Sequence, residues 1–403
     1  MGRMEPGSSE PSEVPFGDIM GDVPLLREIQ RVIQSSTGPI NWELARQIGI
    51  AVASWGMDDP PPTEQDRRGL EDTVRAAELA VTDFTGLSAP TDVARVEAFR
   101  RAQWVEANIR GLKEILEQVG GKLGGMLESQ LSAGGEPQAF PKPPEMAGGE
   151  VLAGLMQRVV PLLLGAHMGQ SLGYLGQQVL GQFDLAVPRE AGALYFVLPN
   201  IARFEKEWSL SPVEFRAWVA LHEVTHRFEF ARPWVRPHFI GLVKDLVDNA
   251  EIDLAGLEER LQGLDLGNPD ALPAAFEGVT NLFGQTTNPE QRLRVARVQA
   301  FMAAAEGYGD HVMEHVARKM LPSFPQIEEA LRRYREGRHS DQALERLIGL
   351  EMKLEQYRLG KEFCDRVAEL TGEQTLALVW SSAESLPSMP ELEEPSLWLA
   401  RMA

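Results

Sequence analysis

One helix constrains this chain more than any other stretch: residues 211–232, SPVEFRAWVALHEVTHRFEFAR. Ser211 suits an N-cap, Pro212 suits the first helical position, and Glu214 stands three after Ser211, as in a capping box. Phe215, Val219, Leu221, Phe228 and Phe230 supply apolar surface, so the run predicts a packed helix. On it lie His222, Glu223 and His226. Residues four apart sit about 40° apart around a helix and about one turn apart along it. Two imidazoles so placed converge on one metal ion, and Glu223, bordering the same groove, reaches a water on that ion without binding it. This is the layout for a metal-activated water with a carboxylate as proton acceptor. The competing reading is two core histidines that only hydrogen-bond. Histidine is scarce, seven in 403 residues, which favours the motif.

A hydrolytic zinc site needs a third protein ligand and an open position. The best source is the long helical pattern from 292 to 320, with its segment AFMAAAEGYGDHVMEHV. Glu306 is a lone carboxylate among alanines and glycines, a composition that lets something bulky sit against the helix. It is the candidate third ligand, with Asp310 and His311 as alternatives. Asp310, four residues on, shares the face of Glu306 and could accept the N–H of a ligand histidine. His311 and His315 fall about 140° and 180° from Glu306 on a regular helix, which suits surface or supporting positions. An oxyanion needs a donor besides the metal. Tyr308, His311, His315, His238 and Arg232 are the candidates. Glu229, seven after His222, reads as a surface partner of Arg232 at i+3.

The rest of the chain reads mainly as helix. Helices are expected over 41–55, from Pro62 and Thr63 to about 87, and from Thr91 and Asp92 to about 117. These three would form an N-terminal bundle, residues 21–133, after a disordered tail, 1–20. The Pro- and Gly-dense stretch 134–149 reads as a linker, and 150–403 as the metal-binding domain, which could form one globule with the bundle. Gly165, Gly169, Gly173 and Gly176 mark a helix packed closely on another. Residues 192–199 are the most strand-like in the chain, and an edge strand there could pair with an extended peptide. The expected fold is mainly α with a small β element beside the active helix. An insertion over 234–287 would have to loop out between the two metal-binding helices. Trp380 and Trp398 read as core, and Cys364 as a buried, inert thiol.

Charge and cysteine content narrow the function classes. Lys and Arg total 39 against 59 Asp and Glu, a net charge of −20. That argues against nucleic acid, which needs a basic face, and against polybasic docking on anionic lipid. One cysteine cannot form an internal disulfide. No apolar run has signal-peptide or membrane-span character, so a cytoplasmic location is expected. The sequence sets no oligomeric state.

H-E-x-x-H on one helix with E-x-x-x-D on a later one resembles the glutamate zincins, of which thermolysin is the familiar member. More closely, the chain is similar to an uncharacterised bacterial family of zincin-like metallopeptidases whose labels include hydrolase and deazaflavin-coenzyme biosynthesis. The matching stretches include NWELARQIG from Asn41, LGYLGQQVLGQFDLAVP from Leu172, WVALHEVTHRFEF, AAEGYGDHVME, GLEMKLEQYRLGKEF from Gly349 and ESLPSMPELEEPSLWLAR, which ends at Arg401. The resemblance implies Zn²⁺ on His222, His226 and Glu306, Glu223 as the base and Asp310 as orienter, but no substrate; a metal-activated water that attacks a carbonyl and releases an amine points to a peptide or amide. Glu306 lies much farther beyond the second histidine than in thermolysin. The alternatives are a non-catalytic zinc-binding helical interaction protein and an accessory factor in coenzyme biosynthesis.

Overall fold

The computed structural model describes residues 38–92, 94–113, 149–183, 193–249, 288–336 and 354–403, with the single positions 117, 121 and 188. The expected tail, the linker up to 148 and most of the insertion after 249 lie outside the described residues. The fold is mainly α, with one two-stranded sheet among the described residues.

Helix α1 (Trp42–Ala53) starts where Asn41 accepts the N–H of Leu44 at 2.9 Å. It buries Ala45, Gly49 and Ala53, spaced by four. That small-residue stripe lies on the glycine stripe of α4 (Gly149–Gly176). A Cβ on Gly169 would stand 2.5 Å from the Ala45 carbonyl, and one on Gly173 would stand 2.9 Å from that of Gly49. The stripe is thus a helix-crossing surface, as its spacing predicts.

Helix α2 (Glu64–Thr85) has the full capping box, Thr63 with Asp66, and stops at Gly86 in the left-handed region, φ 65°. Its buried stripe, Leu70, Val74, Ala77 and Val81, packs on α6 (Pro212–Phe230), the helix that carries the motif. Arg227 of α6 reaches back to Glu78 at 2.5 Å.

The third expected helix is interrupted. Residues Arg95–Phe99 form strand β1, and helix α3 follows over 101–113. β1 runs parallel to β2 (Ala193–Val197), with Val96 opposite Leu194 and Phe99 opposite Val197. The partner strand comes from far along the chain, so a local reading of this stretch as helix misses it. The other edge of β2 is also engaged: Gly181 bridges Phe196, and the Val197 N–H donates to the Leu180 carbonyl at 2.7 Å. The strand-like segment is therefore not a free edge at this point, contrary to the expectation of peptide addition there.

The loop after α4 is clamped from several sides. Trp104 donates to the Gly181 carbonyl at 2.9 Å. Asn200, in α5 (Leu198–Glu207), donates to the carbonyls of Gly176 and Val179, and Arg101 holds Asn200 in turn at 2.6 Å. This fixes residues 181–183 against α6.

Ser211 precedes α6 as expected, but its side chain makes no capping bond. Glu214 instead accepts both the N–H and the hydroxyl of Ser323, at 2.7 and 2.6 Å, and so ties the start of α6 to the turn between α8 (Pro289–Met320) and α9 (Phe324–Glu336). These bonds hold the Glu214 carboxyl below its ordinary range. A depressed carboxylate stabilises the fold above its unfolded value, about 4.3, and loses that contribution as pH falls through the folded value. Unfolding of Glu214→Gln is therefore expected to show less acid dependence than wild type in denaturant melts across pH 3–5.

Helix α7 (Val235–Asp248) and helix α10 (Leu354–Thr371) flank α8. The α8–α10 crossing is very close: a Cβ on Gly360 would collide with the Ala303 carbonyl, and one on Gly307 with the Gly360 backbone. Gly360→Ala is expected to destabilise the chain by about 1–3 kcal/mol in urea unfolding, because backbone must move apart to admit the methyl group. Behind this crossing lie Cys364, Trp380 and Trp398, all buried, with Trp398 donating to the Ser385 carbonyl at 2.8 Å. Burial, with help from nearby carboxylates, pushes the Cys364 thiol well above its usual range, as an inert thiol requires.

Candidate metal centre

Helix α6 is buried nearly all round at its C-terminal half, and Glu223, His226 and Glu229 have no exposed surface. His222 is half-buried. The two motif imidazoles lie with centroids 4.7 Å apart and planes at 89°.

His226 is the best-defined member. Its Nδ1 donates to Glu229 Oε2 at 2.9 Å. Its Nε2 is buried and has no hydrogen-bond partner among the described residues. An imidazole whose Nδ1 is held by a carboxylate presents Nε2 to a metal in a fixed tautomer. Burial opposes charging this ring, but Glu229, then Glu306 and Glu223, outweigh it and lift its pKa to about 9. Burial likewise lifts Glu229, to about 7, against the pull of His226.

Helix α8 provides the opposite wall. A Cβ on Gly309 would stand 3.1 Å from Cε1 and 3.4 Å from Nε2 of His226, so glycine leaves room at that nitrogen. Glu306, three residues earlier and hence on the same face, is half-buried and acts on His226 through its charge. A buried bare nitrogen, a space that a side chain would fill and a nearby carboxylate fit a zinc ligand set of His222, His226 and Glu306. The set is not closed up. His222 Nδ1 lies 3.3 Å from Met313 Sδ, and the three groups are not among those described residues whose ligand atoms all lie within 4.8 Å of one another.

Glu223 is held from the other side. Its Oε2 accepts the backbone N–H groups of Gln182 and Phe183, each at 2.9 Å. Gly181 lies directly under the carboxylate, where a Cβ would overlap it. The clamped loop therefore aims Glu223, and Phe183 covers the His226 ring at 5.9 Å.

The structure separates several residues that the sequence grouped together. The carboxylate on His226 is Glu229, not Asp310, because one turn of the same buried helix already places the two side chains in contact. Glu229 is thus no surface partner of Arg232, which donates to the Ser88 carbonyl at 3.2 Å. The pointer available in the sequence was its position, three after His226 on the motif face. Tyr308 is buried edge-on to Trp380 at 5.7 Å; burial first, then Glu229, raises its pKa, so it stays a neutral phenol. His238 packs on Trp234 and Phe301; Phe301 in turn packs on Phe230, and Phe230 on His226. Burial lowers its pKa, against Glu384. His311 and His315 turn away from the motif, toward α10 and α2: His311 donates to Asp365 at 2.6 Å, and His315 stacks on Phe84 at 5.4 Å. Among the described residues, the trio whose ligand atoms all lie within 4.8 Å of one another is His311, His315 and Asp365.

Among the described residues, no helix is long and apolar enough to cross a membrane. No curated protein matches the chain. The crystal structure of a "putative hydrolase with a novel fold" from Chloroflexus aurantiacus is similar over 90% of this chain and 98% of that one, with 34% identity and a TM-score of 0.62. The family model described as zincin-like metallopeptidase matches residues 40–399, which span both helices of the centre and the loop that holds Glu223. The chain belongs to the zincin-like metallopeptidase family.

Proposed function

We propose that the protein is a zinc-dependent hydrolase acting on amide bonds, with His222, His226 and Glu306 as metal ligands and Glu223 as the base. The observation that carries this reading is His226, whose buried Nε2 is bare while Glu229 holds Nδ1. In a protein interior a polar nitrogen without a partner costs about 1–3 kcal/mol, and a metal ion would relieve that cost. Zinc held there supplies Lewis acidity, which polarises a carbonyl and makes water a stronger acid.

The chain's own residues do the rest. Glu229 keeps His226 in one tautomer and orientation. Gln182 and Phe183 orient Glu223 through their backbone N–H groups, so one carboxylate oxygen is fixed while the group accepts a proton from attacking water and passes it to the leaving amine. Gly309 keeps the space beside His226 open. The substrate class is a peptide or another amide. We place the reaction in the cytoplasm, in keeping with a chain whose single cysteine gives it no internal disulfide to form.

Zinc-loaded protein is expected to cleave members of a mixed peptide library, to stop on chelation and to resume when zinc returns. A loaded site with no cleavage of any peptide would favour the non-catalytic zinc protein instead.

A further inference from the structure

His311, His315 and Asp365 stand apart from the motif, on the side of α8 that faces α10 and the short helix α11 (Glu373–Leu376). His311 and His315 are four apart, the same spacing as the motif histidines, with ring centroids 4.5 Å apart. His315 Nδ1 donates to the His311 carbonyl at 2.9 Å, which fixes its proton on Nδ1 and leaves the Nε2 lone pair as a donor to metal. Stacking on Phe84, with planes at 16°, sets the ring's direction. His311 is buried, with Nδ1 on Asp365 Oδ1 at 2.6 Å and Nε2 on Glu373 at 3.1 Å. Lys361 holds the other Asp365 oxygen at 2.7 Å and also pairs with Glu314 at 2.9 Å. The Asp365 and Glu373 side chains are 35% and 31% exposed, so an ion has a path in from solvent.

We infer that His311, His315 and Asp365 form a second divalent-metal site, taking zinc through His311 Nδ1, His315 Nε2 and Asp365 Oδ1, with Glu373 orienting His311. Two imidazoles and a carboxylate suit zinc rather than magnesium or calcium. Glu373 on the far nitrogen gives His311 the carboxylate–histidine arrangement of metal ligands. Without metal, both His311 nitrogens donate to carboxylates, so the ring is an imidazolium; the ion replaces its Nδ1 proton, which leaves to solvent. Such an ion would join α8, α10 and α11 and hold in place the helix that carries Glu306.

Zinc per chain, measured by elemental mass spectrometry after equilibrium dialysis, tests this separately from the motif. The full chain is expected to take up two ions. The His222→Ala/His226→Ala and His315→Gln/Asp365→Asn variants should each take up one, and the combined variant none. Loss of zinc in the His315→Gln/Asp365→Asn variant alone would keep this inference and overturn the motif site. Uptake by that variant equal to wild type at every zinc concentration would overturn this inference. If circular dichroism shows it unfolded, Glu373→Ala serves instead. That variant should bind the second ion roughly 10–100-fold more weakly, and unchanged affinity would overturn the inference.

Discussion

Glu223→Gln is expected to abolish most hydrolysis while leaving zinc uptake and folding intact. Gln keeps the shape of the side chain and an oxygen to accept the N–H groups of Gln182 and Phe183. It cannot take a proton from water. General-base catalysis contributes about 10²–10⁴-fold, and kcat should fall by that order with little change in KM. Zinc content should not change, because Glu223 is not among the proposed ligands. Equal cleavage by wild type and variant would show that Glu223 is not the base or that the activity belongs to another protein.

Glu229→Ala is expected to produce the largest stability loss at the centre. Glu229 and His226 are both fully buried and bonded to each other. Removing one partner strands the other charge in the interior, at a cost of about 3–5 kcal/mol in chemical unfolding of the metal-free chain. The same change frees the His226 ring to rotate and lets its tautomer shift, so zinc affinity should fall by roughly 10–100-fold. Glu229→Gln keeps an acceptor for Nδ1 and should recover much of both. If Glu229→Ala unfolds at the same denaturant concentration as wild type, the pair contributes nothing and the account of His226 is wrong.

The parts of this molecule that local chemistry dictates are legible in the sequence. Asn41, Thr63 and Gly86 end helices because caps are local hydrogen bonds and local backbone angles. The glycine stripe of α4 predicts a close helix crossing, and the structure supplies one on α1. His222, Glu223 and His226 share a groove because four residues make about one turn. The remainder depends on partners distant in the chain. Arg95–Phe99 is a strand only because Ala193–Val197 lies beside it. Glu214 leaves its capping box for Ser323, and Glu391 is buried against Arg401 and Ser388. Glu229 reads as a surface charge because its neighbour Arg232 is visible in sequence while the walls that bury it are not.

Crystals grown with zinc and measured at the zinc absorption edge would test the central claim most directly. An anomalous peak is expected in contact with His226 Nε2, an imidazole nitrogen of His222 and the Glu306 carboxylate. Full zinc loading with no peak at His226 Nε2, whatever is seen at His311 and His315, would contradict it.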